Sequence, residues 1–206
     1  MAATGKPDTG PAAHRVERGD RARKLRIIGG AWRGRTWRFP PGDIRPTPDR
    51  VRETLFNWLS PAISGARCLD LFAGSGALGL EALSRGAARA VFVESEARTA
   101  RDLKQTLALW GGERARAAQV LVAEADRFLS GEPATFDVVF LDPPYAQRLL
   151  GPVAARLEAG GWLAPGALIY AECPAREPLP PWPASWTLTR SGRAGEVGYH
   201  LLRRTP

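Results

Sequence analysis

The stretch Asp70-Leu-Phe-Ala-Gly-Ser-Gly-Ala-Leu-Gly79 ends an apolar strand and opens a helix, and it decides the fold. Gly74, Gly76 and Gly79 have the GxGxxG spacing, in which glycines permit a tight turn and close approach of a ligand to the backbone. Glu94 ends the next predicted strand, 24 residues after Asp70, where a carboxylate can accept both hydroxyls of a ribose. The glycine pattern alone fits an NAD site or a structural turn; together with Glu94 it favours a nucleoside-containing cofactor.

Strands and helices alternate from residue 67 to the end of the chain. Apolar strands are predicted at 68–72, 90–94, 119–123, 136–141 and 167–173, with two later strands near 185–190 and 197–203. Helices are predicted at about 76–85, 96–110 and 147–159, with a short helix from Asp126. Near-continuous apolar strands joined by helices indicate an α/β fold with a mostly parallel sheet covered on both faces. Because no substantial helix separates the last two strands, they indicate an antiparallel edge.

The residues before this alternating region divide into three parts. Residues 1–24 are rich in Gly, Pro, Ala and scattered charges, which predicts a disordered basic arm. Residues 25–39 predict two short strands around a glycine-rich turn. Residues 46–60 predict a helix capped by Thr47, with Pro48 at its first position. The predicted domains are therefore the arm, an extension over 25–60 and a body over 61–206.

The predicted hairpin interleaves aromatic and basic residues: Trp32, Trp37 and Phe39 with Arg33, Arg35 and Arg38. Aromatic faces beside guanidinium groups suit stacking on bases and pairing with phosphates. A hairpin with one packed and one solvated face has the same pattern, and the two interpretations are compatible. The segment is therefore a candidate RNA-binding element.

Composition and charge exclude several classes of protein. The 206 residues are 44% hydrophobic and 24% charged, which fits neither a disordered chain nor a membrane bundle. The net charge of +8 lies mainly in residues 1–50, which hold 12 Lys and Arg against 5 Asp and Glu; the other residues hold 17 against 16. This asymmetry favours a polyanionic partner over a solvated basic tail. Two cysteines and two isolated histidines predict neither a disulfide scaffold nor a metal site.

A second motif, Asp142-Pro-Pro-Tyr145, follows the apolar strand at 136–141. In open α/β sheets this carboxyl edge is where ligands bind. The two prolines lack amide protons, so the segment presents carbonyl oxygens beside the Asp142 carboxylate without competing donors. Such a group of acceptors suits an amino group, and Tyr145 offers a flat face for stacking on a base. The alternative is a Pro-Pro turn with Asp142 as a structural cap.

These motifs resemble a known family. Asp142-Pro-Pro-Tyr145 is similar to the (D/N)PP(Y/F) motif of class I S-adenosylmethionine-dependent methyltransferases that act on exocyclic amines. With Arg45-Pro-Thr-Pro-Asp-Arg-Val-Arg-Glu-Thr-Leu-Phe-Asn-Trp-Leu59 and the glycine-rich stretch, the chain resembles the bacterial small-subunit ribosomal RNA methyltransferase D family over roughly 25–206. The resemblance implies a Rossmann-like, seven-stranded sheet with an antiparallel edge strand, and methylation of a guanine N2 in 16S rRNA.

The resemblance also assigns expected roles to individual residues. The expected cofactor-binding residues are Asp70, Phe72, Gly74, Ser75, Gly76, Glu94 and Asp126, with Glu94 at the ribose and Asp126 at the adenine. The expected catalytic residues are Asp142, Pro143, Pro144 and Tyr145, which would hold the guanine amine and stack on its ring. The expected RNA-binding residues are Arg26, Trp32, Arg33, Arg35, Trp37, Arg38, Arg45 and Arg50.

The resemblance further implies S-adenosyl-L-methionine as cofactor and 16S rRNA, within an assembling or assembled 30S subunit, as partner. It implies no metal and no membrane, and we expect a cytoplasmic monomer. Three alternatives stay open. A DNA adenine-N6 or cytosine-N4 methylase shares the Asp-Pro-Pro-Tyr chemistry; a silent RNA-binding factor would keep the fold without turnover; and an NAD-dependent dehydrogenase would need a hydride-transfer site, which the sequence does not show.

Overall fold

A computed structural model describes residues 23–39, 47–144 and 149–205. Most of the predicted arm, Arg45 and Tyr145 lie outside these ranges. The strands are β1 (Arg23–Arg26), β2 (Thr36–Phe39), β3 (Arg67–Asp70), β4 (Arg89–Glu94), β5 (Ala118–Val122), β6 (Phe136–Leu141), β7 (Leu163–Pro174), β8 (Trp186–Ala194) and β9 (Val197–Arg204). The helices are α1 (Asp49–Leu59), α2 (Ala77–Ser84), α3 (Ala97–Trp110), α4 (Gly112–Arg116), α5 (Ala125–Phe128) and α6 (Leu150–Ala159).

Seven strands form one sheet in the order β5-β4-β3-β6-β7-β9-β8. Neighbouring strands from β5 to β7 are parallel, and β9 runs antiparallel to both β7 and β8. The predicted α/β class, the mostly parallel sheet and the antiparallel edge are confirmed. The short helix α4 has no counterpart in the sequence-based prediction, because its five residues carry no apolar periodicity.

Two hydrophobic layers cover the two faces of the sheet. On one face, side chains of α1, α2 and α3 pack on the strands with Phe92 and Phe140; on the other, α6 packs with Leu69, Val139 and Ile169. Since successive residues of a strand point to opposite faces, the apolar strands can supply both layers at once. The described part of the chain contains no helix that is long and apolar enough to cross a membrane.

The N-terminal hairpin packs on the body through its tryptophans. β1 and β2 pair antiparallel, and Trp32 and Trp37, each 5% exposed, join the core on the helical face of the sheet beside Trp110. The expectation that these two rings stack on RNA bases is therefore wrong for this conformation, because neither ring face is accessible. The hairpin has one packed and one solvated face.

The start of α1 also differs from the prediction. The helix begins at Asp49 after Pro48, and no side chain caps it. The Thr47 hydroxyl instead donates a hydrogen bond of 2.8 Å to Glu172 on β7. The Thr47 side chain therefore bonds to a residue 125 positions away in the sequence and does not cap the helix that follows it.

Candidate cofactor and substrate site

Four carboxyl groups lie near the carboxyl edge of the parallel strands, on the face covered by α1, α2 and α3. Asp70 ends β3, Glu94 ends β4, Asp142 follows β6, and Glu172 lies near the end of β7. In the strand register Asp70 pairs with Phe92 and with Phe140, and Phe140 pairs with Tyr170. Each of the other three carboxyl residues follows one of these aromatic residues by two positions. Because paired residues and their i+2 neighbours point to one face, the four carboxyl groups share that face.

The turn after β3 depends on its glycines. Gly76 has φ +76°, and a Cβ there would lie 2.6 Å from a Leu103 methyl carbon. A Cβ at Gly79, on the first turn of α2, would lie 2.2 Å from the Phe92 ring. Both distances are below van der Waals contact, so this turn and helix pack closely on α3 and β4.

Asp70 is buried beneath this turn. Its Oδ2 accepts a 3.0 Å hydrogen bond from the Gly79 amide. Burial raises the pKa of Asp70 to about 7; the Gly79 bond opposes the rise and the Glu94 charge adds to it. A nearby cation would lower the pKa of this carboxyl group, because a positive charge favours its ionised form.

Glu94 links the glycine turn to the start of α3. Its Oε2 accepts a 2.7 Å hydrogen bond from the Gly74 amide, and its Oε1 accepts one of 2.7 Å from the Glu96 amide before α3. A carboxylate has about four acceptor positions, so the remaining lone pairs can still accept hydroxyl groups.

Asp142 lies next to the other carboxyl groups. Burial raises its pKa well above the ordinary value, and the charges of Glu172 and Asp70 raise it further. Pro143 is buried and Pro144 is exposed. The structure thus places Asp142 near Asp70, while Tyr145 lies outside the described residues.

Glu172 is a residue that the sequence analysis missed. It is 2% exposed, and its Oε1 accepts hydrogen bonds of 2.8 Å from the Thr47 and Tyr170 hydroxyl groups. Burial raises its pKa, and both hydroxyl bonds oppose that rise. An acidic residue inside an otherwise apolar strand is the signal that could have identified it.

Three other expected cofactor-binding residues contact parts of the protein other than the four carboxyl groups. Asp126 is exposed on α5 and forms a 2.8 Å ion pair with Arg156 of α6, the helix on the opposite face of the sheet. Phe72 is partly buried and packs with that opposite layer. Ser75 is buried in the glycine turn, and its carbonyl accepts a hydrogen bond of 2.9 Å from the Trp37 indole.

Several basic side chains of the hairpin and of α1 face solvent, whereas Arg52 of α1 is fully buried. Arg33, Arg35, Arg38 and Arg50 are exposed. Arg26 is 68% exposed and is ion-paired with Asp49 at 2.8 Å. These guanidinium groups form a basic surface on the elements that carry the excess positive charge of the chain. The described residues contain no group of three or more His, Cys, Asp and Glu that could hold a metal ion.

The chain is similar to proteins of known family. The family model described as "Conserved hypothetical protein 95" matches residues 25–203. "Ribosomal RNA small subunit methyltransferase D" of Escherichia coli (strain K12) is 49% identical over 183 residues, 88% of this chain and 90% of that protein. The protein of the same name from Haemophilus influenzae is 43% identical over 87% of this chain and 94% of its own length.

Solved structures show the same architecture. "Putative methyltransferase yhhF from Escherichia coli" superposes with a TM-score of 0.82 at 49% identity, covering 88% of this chain and 98% of that one. An RNA methyltransferase from Salinibacter ruber in complex with S-adenosyl-L-homocysteine has a TM-score of 0.56 at 16% identity over 78% of this chain and 94% of that one, so it shows the fold alone. The family model and these close relatives show that the chain belongs to the ribosomal RNA small subunit methyltransferase D family.

Proposed function

We propose that this protein transfers a methyl group from S-adenosylmethionine to the exocyclic N2 amine of a guanine in 16S rRNA. The observation that carries the proposal is the position of Asp142, which follows β6 on the same face and at the same edge as Asp70 and the glycine turn. A cofactor on the turn and an amine at Asp142 would therefore meet at one edge of the sheet. Family membership supports small-subunit rRNA as the substrate.

The residues of the glycine turn fit the cofactor. Gly74, Ser75 and Gly76 form a turn whose backbone a ligand can approach closely, because the two glycines have no side chains. Both glycines have positive φ, so a side chain at either position would be strained. Asp70, whose pKa is raised by burial, would be paired by the ammonium group of the methionine end. Glu94 would accept the ribose hydroxyls with its remaining lone pairs. Asp126 and Phe72, which lie toward α6, would line the adenine from the other side of the sheet edge.

S-adenosylmethionine supplies a sulfonium methyl group that is already electrophilic. The chain therefore mainly aligns the amine with the methyl carbon. Asp142 and the carbonyl oxygens of Pro143 and Pro144 would accept the N2 hydrogens. The same oxygens would stabilise positive charge that develops on the nitrogen.

The guanine must leave its stack to reach this edge, at a cost of a few kcal/mol. Tyr145 would stack on the extruded base and offset part of that cost. The exposed guanidinium groups of Arg33, Arg35 and Arg38 would bind rRNA phosphates, which position the substrate without reading its sequence.

Replacement of Asp142 tests this assignment. The Asp142→Asn variant should lose methyl transfer from labelled cofactor to 16S rRNA or 30S particles, and it should still bind S-adenosylhomocysteine in calorimetry. Asp137→Asn is the matched control: it removes an exposed carboxylate at the opposite end of β6, paired with Arg67, and should retain turnover. Near-normal methylation by Asp142→Asn would refute the role of Asp142, and incorporation only into duplex DNA would refute the proposed substrate.

A further inference from the structure

We propose that Trp37 is a positioning residue of the cofactor turn: its indole N–H holds the Ser75 carbonyl and thereby fixes the backbone that receives the cofactor. The hydrogen bond is 2.9 Å long, buried, and joins residues 38 positions apart. The inference rests on the proposed function, because it takes the glycine turn as the cofactor-binding backbone.

The turn needs such a bond because its own sequence leaves it free to move. Glycines at φ +50° and +76° flank Ser75, and glycine has more accessible backbone conformations than any other residue. The amides of Gly74 and Gly76 are held by the Glu94 carboxylate and the Ala73 carbonyl. The Ser75 carbonyl and the Gly76 amide belong to one peptide group, so the bond from Trp37 holds the end of that group that the Ala73 bond leaves free.

Trp37 is itself held in place by aromatic packing. Its ring meets Trp110 of α3 edge-on, with a centroid distance of 5.8 Å, and Trp32 meets the same ring at 5.0 Å. Trp37 has two side-chain torsions and is buried, so its N–H is aimed at the turn without further loss of rotamer freedom. The three tryptophans form one rigid cluster between hairpin and helix.

The hairpin that carries Trp37 is anchored to α2, the helix that the glycine turn opens. The Trp32 amide donates to the Ser84 hydroxyl at 2.9 Å, and the Ala31 amide donates to the Ser84 carbonyl at 2.8 Å. The amides of Ile28 and Gly29 donate to the buried Glu81 carboxylate at 2.9 and 2.8 Å. The element with the exposed arginines is therefore a structural part of the cofactor site.

Removal of the indole N–H alone tests the proposal. Trp37→Phe keeps an aromatic ring in the cluster and removes the donor. We expect its dissociation constant for S-adenosylhomocysteine, measured by calorimetry, to rise about five- to tenfold, the effect of losing one buried hydrogen bond. Amide hydrogen exchange over 73–77 should become faster, while exchange in β5 stays at the wild-type rate.

Trp32→Phe is the matched control, since it changes the same cluster at a ring whose indole makes no bond to the turn among the described residues. It should bind S-adenosylhomocysteine like the wild type. If Trp37→Phe does not fold, benzothienylalanine at position 37 preserves the shape of the ring and lacks the N–H.

Wild-type affinity and exchange in the folded Trp37 variant would overturn the proposal, as would equal weakening by Trp32→Phe. A wild-type protein that does not bind S-adenosylhomocysteine would refute the proposed function itself, which separates the two failures.

Discussion

The buried carboxyl group of Asp70 should make the protein less stable as the pH rises through neutrality. Its pKa is about 7 in the folded protein against an ordinary value of 3.8. Between these values the folded state holds a proton that the unfolded state releases, so the free energy of unfolding falls as pH increases. Each pH unit is worth about 1.4 kcal/mol well below pH 7 and less as Asp70 itself ionises, which predicts a loss of about 2.3 kcal/mol between pH 5 and pH 7 from this group.

Asp70→Asn isolates this contribution. The amide keeps the shape of the side chain and an oxygen that can accept the Gly79 N–H, but it does not titrate. Urea denaturation at a series of pH values from about 5 to 8 measures the free energy of unfolding of both proteins. The free energy of unfolding of Asp70→Asn should fall less steeply with pH than that of the wild type, because the variant lacks the Asp70 contribution. Part of the Asp142 contribution should also be lost, because Asp70 contributes to the raised pKa of that neighbour.

Glu132→Gln is the control for the loss of one carboxylate, since Glu132 is an exposed loop residue. It should show the wild-type slope. Parallel curves for the wild type and Asp70→Asn would refute the argument that burial beneath the glycine turn keeps Asp70 protonated.

Three further changes test the packing and the basic surface. Gly79→Ala places a Cβ 2.2 Å from a buried ring on β4, so we expect a loss of about 1–3 kcal/mol in urea denaturation, and wild-type stability would contradict the close packing. Glu81→Gln removes a buried charge that lies 3.5 Å from Arg52 and 2.8 Å from Arg85, while Asp49 still pairs with Arg52 at 2.6 Å, so we expect a loss of about 1–3 kcal/mol; a smaller loss would show that the Glu81 charge contributes little to stability. Replacement of Arg33, Arg35 and Arg38 by Gln should weaken binding to 16S rRNA and lower the slope of log affinity against log salt by about two to three, and an unchanged slope in a filter-binding titration would place the RNA contact elsewhere.

The strand and helix pattern of the body could be predicted from the sequence because parallel strands have a local signature. The stretch 136–141 is almost continuously apolar, and it forms β6 over the same residues. The edge position of Asp70, Glu94 and Asp142 followed from the same rule, since the carboxyl ends of parallel strands meet at one edge of the sheet.

The contacts that hold the candidate site together could not be predicted, because they join residues far apart in the sequence. Thr47 has the residue type of a helix cap, but its hydroxyl donates to Glu172, 125 residues away. Trp37 stands in a pattern that suits base stacking, but the cluster with Trp110 buries its ring. Local sequence defines the polar and apolar residues of a hairpin, while the body of the protein decides which of its faces is covered.

The most direct test of the proposed activity is the identity of the methylated nucleoside. The purified protein would be incubated with labelled S-adenosylmethionine and unmethylated 16S rRNA or 30S particles, and the RNA would be digested for nucleoside mass spectrometry and mapped by position. We predict N2-methylguanosine at a single position of the rRNA, absent when Asp142→Asn replaces the wild type. Label in another nucleoside, or in duplex DNA alone, would contradict the assignment of this site to a guanine amine of ribosomal RNA.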